Sequence, residues 1–564
     1  MSIREKTVRL IDELKATCQS AGLGNDGNEF KIITQVFLYK FLNDKFGYTL
    51  KHKDTRYKAR FENTGSEWEG EYAKLSEEEQ RRVCRAMGAD CPNLYSRHLL
   101  TQLWNQQEKG DFDVIFDGTM KDIAAENMEI FSTLTVANTK IPIFEPLTQY
   151  VTDESQRTFF ARALVDKLLN FSFEEAFSEH YDFFADIFEY LIQDYNTAGG
   201  GKYAEYYTPH AIATIMARLL AGDGEDLRNI ECYDPSAGTG TLLMALAHQI
   251  GEDRCTIFSQ DISQRSNKML KLNLILNNLV SSLDHAIQGD TLLSPYHKSD
   301  DGRTLRQFDF VVSNPPFKMD FSDTREKIAA MPSRFWAGVP SVPGKKKESM
   351  AIYTCFIQHV INSIKEGGKG AIVIPTGFIT AKSGIENRIL RRIIDDRIVQ
   401  GVVSMPSNVF ANTGTNVSVL FFDKSKGRQD GDTVILVDAS KLGEEYKDSN
   451  GLKKRRLTDA EIERIVGVFR GKKSEDDFSV AVTYAQIREK GYVLSAGQYF
   501  DIKIDYVDIT EEEFDAQMKA DSKELAAMFE ESRALEEEIQ RQLAGLSFRK
   551  GAGEIKGRQT KSEI

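Results

Sequence analysis

The chain has 564 residues, more than one compact core accommodates, and its 41% hydrophobic and 28% charged content is that of an ordinary soluble globular protein. Its net charge of −13 excludes a uniformly basic nucleic-acid coat but leaves room for a local basic groove, because only the face toward phosphates must be positive. No run reaches the ~18 apolar residues of a membrane span, the opening MSIREKTVRL lacks the apolar core of a secretory signal, and the six cysteines and eight histidines are scattered without a CxxC or HExxH; the expectation is a cytoplasmic chain with reduced thiols, no metal and no membrane.

Residues 1–155 read as helices and polar loops without a catalytic motif, a helical interaction domain in which residues 30–46 carry apolar side chains at helical spacing. A helical stretch over 159–195 leads to the glycine-rich NTAGGGK at 196–202. Beyond it, short apolar runs alternate with helical segments: NIECYD (229–234), CTIFSQD (255–261), HAIQGD (285–290), FDFVVSN (308–314), GAIVIP (370–375), IVQGVVSMP (398–406) and NVSVLFFDK (416–424). Strands separated by helices imply βαβ units and a mostly parallel sheet covered on both faces. The short turn at 412–415 predicts that the last two of these strands pair antiparallel. Residues 156–440 therefore form the expected α/β domain, and 441–505 a small mixed extension. Residues 506–548 read as an acidic helix whose Leu525, Met528, Leu535, Ile539, Leu543 and Leu546 approximate a heptad stripe interrupted by Ser532, and 549–564 as a disordered tail. Three basic clusters stand out: Lys345, Lys346 and Lys347; Arg388, Arg391 and Arg392; and Lys453 to Arg456. Each such cluster is more often a solvated surface run than a DNA contact.

The residues with the most chemical content are Asp234-Pro235-Ser236-Ala237-Gly238-Thr239-Gly240, between a strand and the helix TLLMALAHQI. Gly238 and Gly240 permit a tight turn with close approach of a ligand to the backbone, and the helix N-terminus supplies unpaired N–H groups. A dinucleotide GxGxxG is not present, and an acid at the strand end four residues before the first glycine suits a cationic amino-acid ligand. Asp261 closes the next strand, where a carboxylate accepts ribose hydroxyls. Asp290 ends the one after, placed to accept a proton from an adenine amine. Three acids at successive strand ends mark the crevice where open α/β sheets bind ligands. Asn314-Pro315-Pro316-Phe317 then follows FDFVVS. An exocyclic adenine amine is a poor nucleophile because its lone pair is delocalised into the ring. The Asn314 side-chain carbonyl and the Pro315 backbone carbonyl are two acceptors that localise that pair, held in advance by the restricted Pro315-Pro316 backbone. Phe317 offers an aromatic face to an extruded base.

These motifs resemble those of the class I methyltransferase family, specifically its amino-methylating members. Within it, the chain is similar to the modification subunit of a Type I restriction-modification system, by motif over residues 160–440 and in general layout to both ends. The resemblance implies a Rossmann-like sheet, mostly parallel with its last strand antiparallel, an α-helical N-terminal domain and a helical C-terminal tail. It implies S-adenosylmethionine as cofactor, with the turn from Asp234 to Gly240 at its methionine part and Asp261 and Asp290 at its ribose and adenine. Tyr206-Tyr207-Thr208-Pro209 matches the segment that closes over the cofactor, with Thr208 capping and Pro209 beginning the helix HAIATIMARLL. YVLSAGQYF at 492–500 matches the end of the family's domain. The implied reaction is methylation of adenine N6 in DNA. The implied partners are DNA, a specificity subunit joined by two copies of this chain, and a restriction and translocation subunit.

The rivals differ in the residues they need. Cytosine C5 methylation requires a Pro-Cys, which does not occur, and cytosine N4 methylation more commonly uses Ser-Pro-Pro. Methyltransferases of ribosomal RNA guanine or of a protein glutamine share Asn-Pro-Pro-aromatic but are usually shorter and lack the long helical start. A non-catalytic scaffold would have no reason to keep every cofactor and catalytic position. No GxxxxGK[ST] phosphate loop is present for ATP-driven translocation, and no base-reading domain is evident, so the chain is expected to take its sequence specificity from a partner.

Overall fold

Alternation decides the architecture. Along each central strand successive side chains point to opposite faces, and here both faces are apolar: Cys232, Ile257, Phe310, Val312 and Val403 enter one core, whereas Tyr233, Phe258, Val311, Ile372 and Val402 enter another. A strand buried on both sides must be covered on both sides, and helices supply the cover.

The computed structural model describes residues 3–24, 27–88, 91–128, 132–135, 139–142, 144–178, 208–224, 226–410, 416–425, 433–447, 453–500 and 509–544. The glycine-rich segment 196–202, Tyr206, Tyr207, the end of the 159–195 stretch, the turn at 412–415 and the tail 549–564 lie outside them. The strands are β1 (Ser132–Thr135), β2 (Lys140–Pro142), β3 (Ile230–Asp234), β4 (Cys255–Asp261), β5 (Ala286–Gln288), β6 (Phe308–Ser313), β7 (Ile364–Pro375), β8 (Val399–Ser404), β9 (Val417–Asp423), β10 (Thr433–Asp438), β11 (Glu444–Lys447), β12 (Lys453–Arg456) and β13 (Ser479–Thr483). Eleven form one sheet in the order β13-β10-β8-β9-β7-β6-β3-β4-β5-β1-β2; β11 and β12 pair as a separate antiparallel ribbon.

Pairing is parallel from β7 through β6, β3, β4 and β5. The strand β9 lies between β7 and β8 and is antiparallel to both, the reversal anticipated from the short connection before it. The sheet also extends further than the apolar runs announce. At one edge β10 and β13 are added; at the other, β1 joins β5 in parallel and β2 folds back on β1, so the helical N-terminal region contributes two strands. Those two strands are only four and three residues long, too short for an alternation to register against helical surroundings.

The helices form where the periodicity places them. Gly27–His52 spans the 30–46 stretch and buries Phe30, Ile33, Phe37 and Phe41. Helices Thr241–Ile250 and Gln264–Leu276 follow β3 and β4, the second capped by the Ser263 side chain, which accepts from the Ser266 N–H. Tyr353–Ser363 covers the opposite face ahead of β7. Met1–Phe500 is one compact unit and Asp501–Ile564 a second, whose described part is the helix Glu511–Ala544. No described helix is long and apolar enough to cross a membrane.

Candidate active site

The parallel strands β3, β4, β5 and β6 end along one edge, and the crevice above their carboxyl ends holds a cavity of about 370 Å³, within the range of small-molecule sites. Its walls gather Thr208, Asp234, Pro235, Ser236, Gly238, Asp261, Asp290, Asn314 and Pro316, which lie far apart in the chain. Pro209, Thr239, Gly240, Pro315 and Phe317 adjoin lining residues in the chain but are not themselves among those that line the cavity. Phe317 is half-buried and meets Tyr353 edge-on with ring centroids 6.3 Å apart.

The turn after β3 is held from inside. Asp234 Oδ1 accepts from the Ser236 N–H at 2.8 Å, and the Ser236 and Ser313 hydroxyls are 2.7 Å apart, tying the turn to the end of β6. Gly238 and Gly240 have φ of 52° and 87°, the left-handed region that favours glycine. A β-carbon at Gly240 would overlap Leu270 of the next helix, so the turn needs glycine for both conformation and space.

Asp234 and Asp261 are both buried. Burial, aided by the neighbouring Asp261, pushes the Asp234 carboxyl up to about 8 against the pull of the Ser236 N–H. Asp261 is also raised by burial, although Oδ2 accepts from Gly238 N–H and Oδ1 from Ser263 N–H, each at 2.8 Å. Asp290 Oδ1 accepts from the N–H groups of Leu292 and Leu293 at 2.9 and 3.0 Å, leaving its second oxygen for a ligand. Among the described lining residues none is basic, and Asp320 and Asp323 add further acid at the rim. Such a donor set fits a ligand with a cationic group, hydroxyls and an amine. The apolar remainder of the wall, including Leu292, Phe321, Ile352 and Phe356, fits a flat ring.

Asn314 stands at the end of β6. Its Nδ2 donates to Thr208 Oγ1 at 2.9 Å, which leaves Oδ1 to accept from a substrate. The expected capping role of Thr208 is thereby corrected. The helix His210–Ala221 starts after Pro209, with no side-chain cap, and the Thr208 hydroxyl orients the Asn314 amide.

Several functional neighbours carry no signal in the sequence. Arg334, buried in the long segment after Phe317, donates to the carbonyls of Thr291 and Leu292, both at 2.6 Å, directly behind Asp290. It also donates to His359 Nδ1 at 2.9 Å, and His359 Nε2 meets the Tyr233 hydroxyl at 3.2 Å. Burial holds His359 neutral, well below its ordinary range, so with Nδ1 accepting, its proton sits on Nε2. A lone Arg in a polar loop and a His in an apolar helix match no motif; only the fold shows that they brace the loop of Asp290.

Residues 179–505 match the N-6 DNA Methylase family. The methylase subunit of the type I restriction enzyme MpnII of Mycoplasma pneumoniae is 26% identical over 389 residues, which are 68% of this chain and 65% of that protein, just under two thirds of its length. The MjaVIII methylase subunit of Methanocaldococcus jannaschii is 25% identical over 499 residues, 87% of this chain and 78% of that protein. In structure, the methyltransferase subunit of a type I restriction-modification system from Streptococcus thermophilus shares the fold with a TM-score of 0.69 at 21% identity, covering 89% of this chain and 99% of that one. A modification subunit of a putative type I restriction enzyme from Vibrio vulnificus gives 0.53 at 16% identity, covering 87% and 96%. The family match takes in more than half of the chain and all four strands whose ends build the cavity; the chain belongs to the N-6 DNA methylase family.

Proposed function

We propose that this chain is the modification subunit of a type I restriction-modification complex and transfers a methyl group from S-adenosylmethionine to the N6 amine of adenine in DNA. The observation that carries the reading is one cavity joining an acid-lined ligand wall, Asp234, Asp261 and Asp290, to the Asn314 amide. The methylase-subunit relatives support the assembly.

When bound, S-adenosylmethionine supplies an electrophilic methyl sulfonium. The chain's own groups do the rest. Asp234, once ionised, holds the α-ammonium. Asp261 accepts from the ribose hydroxyls, and Asp290 accepts from the amine of the cofactor's adenine. Asn314 Oδ1 and the Pro315 carbonyl would accept hydrogen bonds from the two N–H groups of the target amine and direct its lone pair at the methyl carbon. The new N–C bond would form as the C–S bond breaks to leave a neutral thioether, and the amine's surplus proton would pass to water. Because Thr208 fixes the Asn314 amide beforehand, no reorganisation is needed at that moment. Phe317 receives the extruded base against its ring. Tyr206 and Tyr207 belong to the segment proposed to close over the cofactor.

The helix Glu511–Ala544 is proposed to dock on the specificity subunit, two copies of this chain joining one such subunit. Within its own unit the helix leaves Leu525, Met528, Leu535, Ile539 and Leu543 exposed.

The test is Asn314→Ala in the assembled complex. Single-turnover methyl transfer should fall about a hundredfold or more, the scale of losing one preorganised polar contact to the reacting group, while cofactor affinity stays within a fewfold. Full activity would remove Asn314 from the chemistry. N6-methyladenine is the expected product; methylguanine in RNA or methylglutamine would overturn the substrate assignment.

A further inference from the structure

The three basic clusters of the sequence are not equivalent in the fold. Arg388, Arg391 and Arg392 are exposed, and each has a partner in or beside its own helix: Arg388 Nε donates to the Ala337 carbonyl at 2.8 Å, Arg391 Nε to Asn387 at 2.9 Å, and Arg392 Nε to Asp396 at 2.6 Å. The other two clusters stand on the edge that carries the site.

Lys345, Lys346 and Lys347 are exposed in the loop that runs from Phe317 to the helix Tyr353–Ser363. That loop is the cavity rim. Met319 N–H donates to the Met350 carbonyl at 3.1 Å, and Met319, Asp320 and Ile352 line the cavity. Met350 N–H in turn donates to the Lys347 carbonyl at 3.1 Å, which sets the lysine turn next to this rim. The Ser322 backbone and hydroxyl, and then Lys347, hold the Asp320 carboxyl below its usual range.

The third cluster is the ribbon β11–β12. The register carries its position across the sheet: Ser313 pairs with Ile372, Val417 with Pro375, Ser404 with Ser418, and Asp438 with Ser404. The carboxyl ends of β6, β7, β8 and β10 therefore share one edge, and the ribbon begins six residues after Asp438. Arg455 N–H binds it to the Asn408 carbonyl, in the loop after β8, at 3.1 Å. From Lys441 to Arg456 there are six basic residues against three acidic ones, in a chain of net charge −13. Lys447, Lys453 and Arg456 are exposed.

We infer that the lysine loop and the basic ribbon form a track for the phosphate backbone of a DNA duplex, the lysines beside the extruded base and the ribbon further along the same duplex. Four strand spacings separate β6 from β10, about 19 Å at ~4.8 Å each. That span is about six base pairs at the ~3.4 Å rise of each strand. The lysines then sit at the phosphates next to the target, and the ribbon reaches the same duplex about half a turn away. The inference rests on the reading of the substrate as DNA.

The test titrates the full chain with a fluorescent ~30-base-pair duplex of arbitrary sequence containing one mispaired adenine, from about 25 to 200 mM salt. One variant combines Lys345→Gln, Lys346→Gln and Lys347→Gln; the other combines Lys447→Gln, Lys453→Gln and Arg456→Gln. Each should bind DNA at least tenfold more weakly at low salt, with a log–log salt slope shallower by about 0.9 for every phosphate that is no longer neutralised. Calorimetric affinity for S-adenosylmethionine should stay within twofold of wild type, which shows the fold intact. Either variant keeping the wild-type slope, or a wild-type chain that binds no duplex at low salt, overturns the track. An RNA hairpin bound in preference to DNA by the wild-type chain would instead overturn the substrate reading itself.

Discussion

Asp234 is an acid that the free fold holds partly in its neutral form. Its carboxyl titrates at about 8 because burial removes the water that would solvate the charge. The sign follows directly. Below the ordinary carboxylate range the group is neutral in folded and unfolded chains alike, and its contribution to stability is fully present. As pH rises toward 8 the unfolded chain ionises and the folded chain does not, so that contribution is lost. Holding a cationic ligand requires the carboxylate, so below pH 8 binding must expel a proton. Affinity for S-adenosylmethionine should therefore rise by up to about tenfold per unit between pH 6 and 8 and then level off. Asp234→Asn should bind weakly and without that dependence. Calorimetry in buffers of different ionisation heat counts the released proton; a flat wild-type profile over this range would mean that Asp234 does not face the charge. The residue types were legible in order along the chain, three acids and then Asn314. The burial of Asp234 and Asp261, which sets their titration, belongs to the packed state.

At the scale of elements, the turn between β3 and the helix Thr241–Ile250 is the strictest part of the design. Gly240→Ala meets two penalties: a left-handed backbone that costs a side-chain-bearing residue about 1–2 kcal/mol, and an overlap with Leu270 in a filled core that costs ~1–3 kcal/mol. The expected result is a lower melting temperature together with weaker cofactor binding, since the same turn presents Gly238 to the ligand. Gly377→Ala, where an added β-carbon meets open space, is the control and should melt with wild type. If Gly240→Ala also melted unchanged, the close packing of turn on helix would be wrong. The central strands were legible because runs of six to nine mostly apolar residues leave few alternatives. The strands β1 and β2 were not, because segments of four and three residues take their conformation from the neighbours they pair with.

For the whole molecule, the cavity and the C-terminal helix lie in separate compact units. Truncation after residue 508 should leave cofactor affinity and the melting of the remaining unit unchanged, because every cavity residue precedes it. On the proposed assembly it should weaken association with the specificity subunit and so abolish site-specific methylation. Pull-down and methylation assays on the truncated chain check this; normal complex formation would show that docking uses another surface.

What the sequence determined by itself is the chemistry and its order: the glycine turn, the acids at strand ends, the Asn-Pro-Pro-Phe after the strand that follows them, and hence the sheet on which they sit. These are local, since the strand-to-helix spacing and a rigid dipeptide are written in neighbouring residues. Only the tertiary structure decided which groups meet. It paired Thr208 with Asn314 across 106 positions in place of the expected cap, placed Arg334 behind Asp290, and set two of three similar basic clusters on the open edge of the site. Contacts at such separations depend on how elements pack on the sheet, and packing is a property of the assembled surfaces rather than of any segment that contributes to them.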